Sequence, residues 1–182
     1  MFDIVLPEDN ELELIRMAER LGWKRLCLAY GKHKDISRFR QQTSIGLLSG
    51  IIGDSGSADL IIAKTSDPDK TRSLAERSRI NIITGLEASK KHDFMHHRNS
   101  GLNHVICRIL AENDIVIAFD FSSILDSKGR QRAILLGRMK QNARFARKYK
   151  IGLIFASFAS SPLGMRSPRL ASSFLSTMQE NI

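Results

Sequence analysis

Short runs of consecutive apolar residues alternate along this chain with longer stretches in which apolar residues return every three or four positions. Seven of the short runs read as strands: Asp3 to Leu6, Arg25 to Ala29, Ile45 to Ile52, Asp59 to Ala63, Asn81 to Thr84, Val116 to Phe121 and Gly152 to Ala156. Unbroken apolar character over four to eight positions is expected of parallel strands covered on both faces. Five helical patterns lie between or after them, over Asn10 to Leu21, Asp67 to Arg77, Gly101 to Glu112, Gln131 to Tyr149 and Pro168 to Met178. Strand and helix alternate, so the class is α/β. A closed barrel and an open doubly wound sheet both satisfy this alternation. Seven strands in 182 residues is tight for a barrel, so any barrel is small and irregular. No "GxGxxG" follows the first strand to favour a dinucleotide site.

Two of the helical patterns carry more. In "GLNHVICRILAEN", Leu102, Val105, Ile106, Ile109 and Leu110 fall on one face and send His104 and Arg108 outward. In "AILLGRMKQNARFARKYK", Leu135, Met139, Ala143 and Ala146 form the inner stripe, with Asn142 beside it. At 100° per residue, Lys140, Arg144, Arg147 and Lys148 gather on the opposite side.

Composition changes the picture through charge. The formal charge is +9, and from Ser127 to Gln179 there is no Asp or Glu at all. That run holds eleven cations: Lys128, Arg130, Arg132, Arg138, Lys140, Arg144, Arg147, Lys148, Lys150, Arg166 and Arg169. The other 17 basic residues are outnumbered by the 19 acids elsewhere, so the whole excess belongs to the C-terminal third. Clustered cations without interleaved acids repel one another unless a polyanion relieves them, which points to nucleic acid before a membrane surface. The length and hydrophobic content suit one domain over residues 1–182. With no stretch long enough to span a bilayer and no leader-like start, the expected location is the cytoplasm. Cys27 and Cys107, 80 positions apart with no C-x-x-C partner, read as buried thiols.

Most catalytic readings find little support. The first strand, "FDIVLPED", offers acids but no His. His96 and His97 are adjacent, and no H-x-H or H-E-x-x-H occurs. No "GxSxG" is present, and His104 with Cys107 lacks a third group to orient a base. Two loops do gather polar groups where a strand hands over to a helix. "HHRNSGLNHV" places Arg98 beside Asn99 or Ser100, either of which can cap the helix that follows. "GMRSPRL" sets Arg166 and Arg169 around Ser167 as cap and Pro168 at the first helical position. In a parallel α/β fold such loops share one face, so Arg98, Arg166 and Arg169 are expected to converge. Two independent helix caps remain the alternative.

"HHRNSGLNHV", then "RMKQNARFARKYKIGLIFASFAS", then "RSPR", in this order after an opening "FDIVLPE", resemble the thirty-kilodalton protein subunit family of ribonuclease P, called component 3 in archaea. The resemblance implies a TIM-barrel-like fold related to the polymerase-and-histidinol-phosphatase superfamily but without its metal-binding His pattern. It implies a protein subunit that assists a catalytic RNA in removing the 5′ leader of precursor tRNA, is not catalytic alone, and binds no cofactor, with Mg²⁺ serving the RNA. The partners it implies are ribonuclease P RNA, precursor tRNA and a small ferredoxin-like protein subunit. Arg98, Asn99, Ser100 and Asn103 match the family's first motif, Arg166, Ser167 and Arg169 its second, and Gln141 and Asn142 its basic helix. With them, Arg138, Lys140, Arg144, Arg147 and Lys148 complete the expected RNA-binding or partner-binding set. Leu170 departs from the family, where an acidic residue often follows the second motif. A stand-alone metal-dependent phosphoesterase and a mainly structural subunit are the competing readings.

Overall fold

In the computed structural model, described for residues 1–77, 79–89, 91–93, 95 and 98–179, all seven expected strands form. They are β1 (Asp3–Val5), β2 (Arg25–Tyr30), β3 (Gly46–Ile52), β4 (Leu60–Lys64), β5 (Ile82–Thr84), β6 (Val116–Asp120) and β7 (Leu153–Ala156). They lie in chain order in one sheet, each parallel to the next. The open-sheet alternative fails at the last strand. Beyond β7 the chain bends back onto β1: Phe158 donates its N–H to the Ile4 carbonyl at 2.8 Å and Leu6 donates to the Ala159 carbonyl at 2.9 Å. Seven parallel strands thus close into a nearly complete barrel of TIM type.

A polar lock fastens that seam. The buried Asp3 carboxylate accepts the Ser157 N–H at 2.6 Å and the Ser157 hydroxyl at 2.7 Å. Burial is the strongest influence on this carboxyl and lifts its pKa from 3.8 to about 6, against the lowering effect of the two Ser157 bonds.

Ile4, Cys27, Ala29, Ile62, Ile82, Ala118, Ala156 and Phe158 form one apolar cluster, all but Phe158 drawn from the alternate strand positions that face the barrel axis. Several are small because a barrel this narrow leaves little room. At Gly50 a Cβ would stand 2.7 Å from the Cys27 sulfur. Cys27 and Cys107 are both buried as expected, and burial pushes each thiol up to about 12.

The five expected helices also form: α1 (Glu11–Leu21), α3 (Pro68–Arg77), α4 (His104–Glu112), α6 (Gly129–Tyr149) and α7 (Pro168–Gln179). Two short ones join them, α2 (Ser37–Arg40) between β2 and β3 and α5 (Phe121–Asp126) directly after β6. β6 ends one residue early because Asp120 becomes the cap of α5, accepting from the Ser123 N–H and the Ser122 and Ser123 hydroxyls. Leu135, Met139, Ala143 and Ala146 are the buried stripe of α6, packed with Ile106, Cys107 and Leu110 of α4. Val105 departs from the expected pattern and stands 38% exposed. Among the described residues, no helix is long and apolar enough to cross a membrane.

Candidate nucleic-acid interface

The polar loop between β5 and α4 is built onto α6. Gln141 clamps residue 98 from both sides, accepting its N–H at 3.1 Å and donating to its carbonyl at 2.9 Å. The same Gln141 amide donates to the Ser100 hydroxyl at 2.8 Å, while Asn142 donates to the Ser100 carbonyl at 2.9 Å. Gly101, at φ +80°, then turns the chain so closely past β5's exit that a Cβ would lie 2.5 Å from the Leu86 carbonyl oxygen. Only glycine tolerates both conditions.

Helix α4 starts later than the sequence pattern suggests. Its cap is Asn103, whose side chain accepts the Ile106 N–H at 2.9 Å, so neither Asn99 nor Ser100 caps it as expected. Ser100 is spent on α6 instead and is buried. Asn99 donates its N–H to Asp93 at 2.9 Å. The neighbouring His96 and His97 lie outside the described residues.

Asp93, which the sequence reading passed over, organises the loop. It accepts from Arg138 Nε at 2.8 Å and from Arg98 Nη1 at 3.3 Å. Burial pushes its carboxyl up, but the Asn99 amide and the two guanidiniums outweigh that and leave it below the usual aspartate range. Its sequence signal is faint, a single acid five residues before Arg98.

Arg138 corrects an expectation. The sequence places it in the RNA-binding or partner-binding set, but it is only 4% exposed. Its guanidinium donates to the carbonyls of Glu87, Ser89 and Lys91 at 3.1, 2.6 and 2.6 Å as well as to Asp93. An arginine with four of its five N–H groups engaged in this way holds the loop's backbone and has no donor fork left to offer.

Arg98 has the opposite fate. Its guanidinium lies over Gly137, where a Cβ would fall 2.4 Å from the guanidinium carbon. A glycine inside a helix costs about 1 kcal/mol relative to alanine; here it makes the berth for an arginine from another element. Gly137 belongs to the outward side of α6, so Arg98 joins the exposed Arg130, Arg144, Arg147 and Lys148 and the half-buried Lys140. From Arg130 to Lys148 the ridge runs for about 27 Å at 1.5 Å per residue. Within the acid-free run, Arg138 is ion-paired, to Asp93.

The second polar loop follows β7. Pro168 opens α7 as expected, with the Ser167 hydroxyl accepting the Leu170 N–H at 3.3 Å. Arg166 turns into its own loop, donating to the Leu163 and Met165 carbonyls at 2.9 and 2.8 Å, and its guanidinium sits 5.0 Å from the Phe121 ring centre. The Trp23 indole donates to the Arg166 carbonyl at 2.8 Å. Arg169 is exposed. Both loops leave the C-terminal ends of strands, as foreseen. Arg98 lies against Gly137 of α6, whereas Arg166 lies over Phe121 of α5.

At the mouth of the barrel, Lys64 pairs with the buried Asp120 at 3.2 Å. Glu87 lies in the field of both, fully buried, and burial lifts its carboxyl from 4.5 to about 7. Neither of its oxygens has a hydrogen-bond partner. Among the described residues no group of three or more His, Cys, Asp or Glu side chains is placed to hold a metal ion.

Comparison with known proteins agrees with this architecture. A family model, RNase P subunit p30, matches residues 1–180. Ribonuclease P protein component 3 of Methanosarcina barkeri is 33% identical over 164 residues, 90% of this chain and 57% of that protein. The protein of the same name from Methanococcoides burtonii is 30% identical over 172 residues, covering 86% and 68% of the two chains. The matched region thus spans between about half and two thirds of these relatives' length. A chain in the cryo-EM structure of archaeal ribonuclease P with mature tRNA superposes with a TM-score of 0.81, covering 98% of this chain and 82% of that one, at 18% identity; it shares the fold. By the match along nearly all of its length, this chain belongs to the RNase P subunit p30 family.

Proposed function

We propose that this chain is a protein subunit of ribonuclease P that assists the catalytic RNA in Mg²⁺-dependent removal of the 5′ leader from precursor tRNA. The observation that carries the reading is the outward side of α6, a cationic ridge without an interleaved acid, to which Arg98 is delivered by a separate loop. Such a ridge screens backbone charge, so the RNA's own metal site assembles at lower salt. The chain itself supplies no catalytic group and holds no cofactor; Mg²⁺ is bound by the RNA. Arg98, Lys140, Arg144, Arg147, Lys148 and Arg169 meet phosphate. Asn99, Ser100, Asn103 and Ser167 set the loops that present them, and Arg166 anchors the second loop. A small ferredoxin-like subunit is the protein partner in this reading.

Cleavage of precursor tRNA by the cognate RNA, with and without this chain and over a range of Mg²⁺ concentrations, tests it. The Mg²⁺ requirement should fall when the chain is added. An unchanged requirement, or an RNA affinity indifferent to salt, contradicts the reading.

A further inference from the structure

We propose that the cavity beside the first turn of α6 is a nucleotide pocket, which takes one unstacked nucleotide of a bound RNA with its base inside and its phosphate at the rim. This rests on the RNA-binding reading above and adds to it a site that reads a base rather than the backbone.

The cavity measures about 790 Å³, within the roughly 300–1,000 Å³ of small-molecule sites. Its walls combine what a nucleotide needs. Ile134 and Leu135 give an apolar surface for the flat face of a base, and Ser127 and Gln131 offer hydrogen-bonding groups for its edge. Arg98 and Arg130 stand among the lining residues, where the pocket meets the cationic ridge. The α6 N-terminus adds to the rim's positive potential, because its N-cap, Lys128, supplies no side-chain acceptor to the free N–H groups.

Glu87 supplies the independent observation. It belongs to the same lining, and both carboxylate oxygens are buried without a partner. A buried acceptor without a donor costs about 1–3 kcal/mol or more, and structures rarely keep one without cause. The amine and ring N–H groups of a nucleobase are donors of the kind it lacks. A phosphate alone could use the rim; a nucleotide also offers donors to Glu87, whose oxygens are closed to solvent in this structure and meet the base by turning toward the cavity.

Titration of the full chain by calorimetry with AMP, CMP, GMP and UMP in turn, with inorganic phosphate as the charge-only control, tests the pocket. At least one nucleotide should bind ten-fold or more tightly than phosphate. Gln131→Phe, filling the cavity from an exposed position, should erase that difference while affinity for a blunt RNA duplex stays within two-fold. Glu87→Gln, equal in shape, should change the order of preference among the four nucleotides. Equal binding of nucleotides and phosphate overturns the proposal, as does nucleotide binding unmoved by both variants.

A ten-nucleotide single strand carrying one 2-aminopurine separates the two sources of the nucleotide. Its fluorescence should rise on binding and lose that rise with Gln131→Phe. Binding of free nucleotides without this rise overturns the assignment to an RNA-borne base. Loss of salt-dependent duplex binding would instead count against the functional reading, so the two failures are distinguishable.

Discussion

Arg138 and Arg144 sit six residues apart on one helix and are put to opposite uses. Arg138 is sealed against the loop that follows β5, with four hydrogen bonds, one of them to a carboxylate. Arg144 stands in solvent on the other side, in line with an arginine that α6 does not itself encode. The difference teaches that the sealed side of α6 exists to position the open one. Asp93, Gln141 and Asn142 hold the loop in place, and the loop lays Arg98 across Gly137. Cations that look equivalent in a basic run therefore divide into one that shapes the surface and several that form it.

The sharpest way to break this comparison is Arg138→Ala. Removing a buried guanidinium that holds three carbonyls and a carboxylate costs about 3–5 kcal/mol, and chemical denaturation should register it. A loss below 1 kcal/mol would mean that the guanidinium is not the loop's anchor.

Glu87, whose carbonyl Arg138 holds, sharpens the sealed side through pH. Its carboxyl is raised from 4.5 to about 7, so the folded protein binds a proton that the unfolded chain releases. Its contribution to stability is complete below pH 4.5 and is lost as pH climbs toward 7, on the order of 2–3 kcal/mol. Thermal unfolding of Glu87→Gln should lack that decline. A wild-type slope retained in the variant would assign the titration to another group, with Asp3 next in line.

On the open side, Gly137→Ala should leave stability within about 1 kcal/mol, since the alanine gains helix propensity while the guanidinium gives way. RNA affinity should nevertheless fall several-fold, and Arg98→Ala should fall as far with no further loss in the double variant. Additive losses would show that Arg98 works from somewhere other than its berth. The smallest effect belongs to Arg144→Ala with Lys148→Ala. The slope of log K against log salt should shrink by roughly 1.4–1.8 if each meets one phosphate. Unfolding should be nearly unchanged.

How far the site was legible from the chain follows from the range of the interactions. The Ser167 cap and Pro168 start of α7 depend on three or four adjacent residues, and both were readable. So were the inward Asn142 and the outward Lys140, Arg144 and Arg147, which follow from helical rotation alone. The cap of α4 was misplaced because Asn99, Ser100 and Asn103 are locally equivalent candidates, and the choice falls to Gln141, 41 residues away from Ser100. Arg138 was misread because helical rotation sets it at the margin of the apolar stripe, and its neutralising acid, Asp93, is 45 positions distant. Glu87 left no signal, since nothing in "TGLEAS" announces burial.

By itself the sequence determined the seven strands, the five principal helices and the acid-free charge of the last third, because periodicity and composition act over neighbouring residues. Tertiary structure decided that the sheet closes, through Asp3 and Ser157, 154 positions apart. It also decided which arginine is buried, which is displayed and where a glycine makes room for one. Those outcomes depend on which surfaces meet when the barrel forms, and no local pattern carries that information.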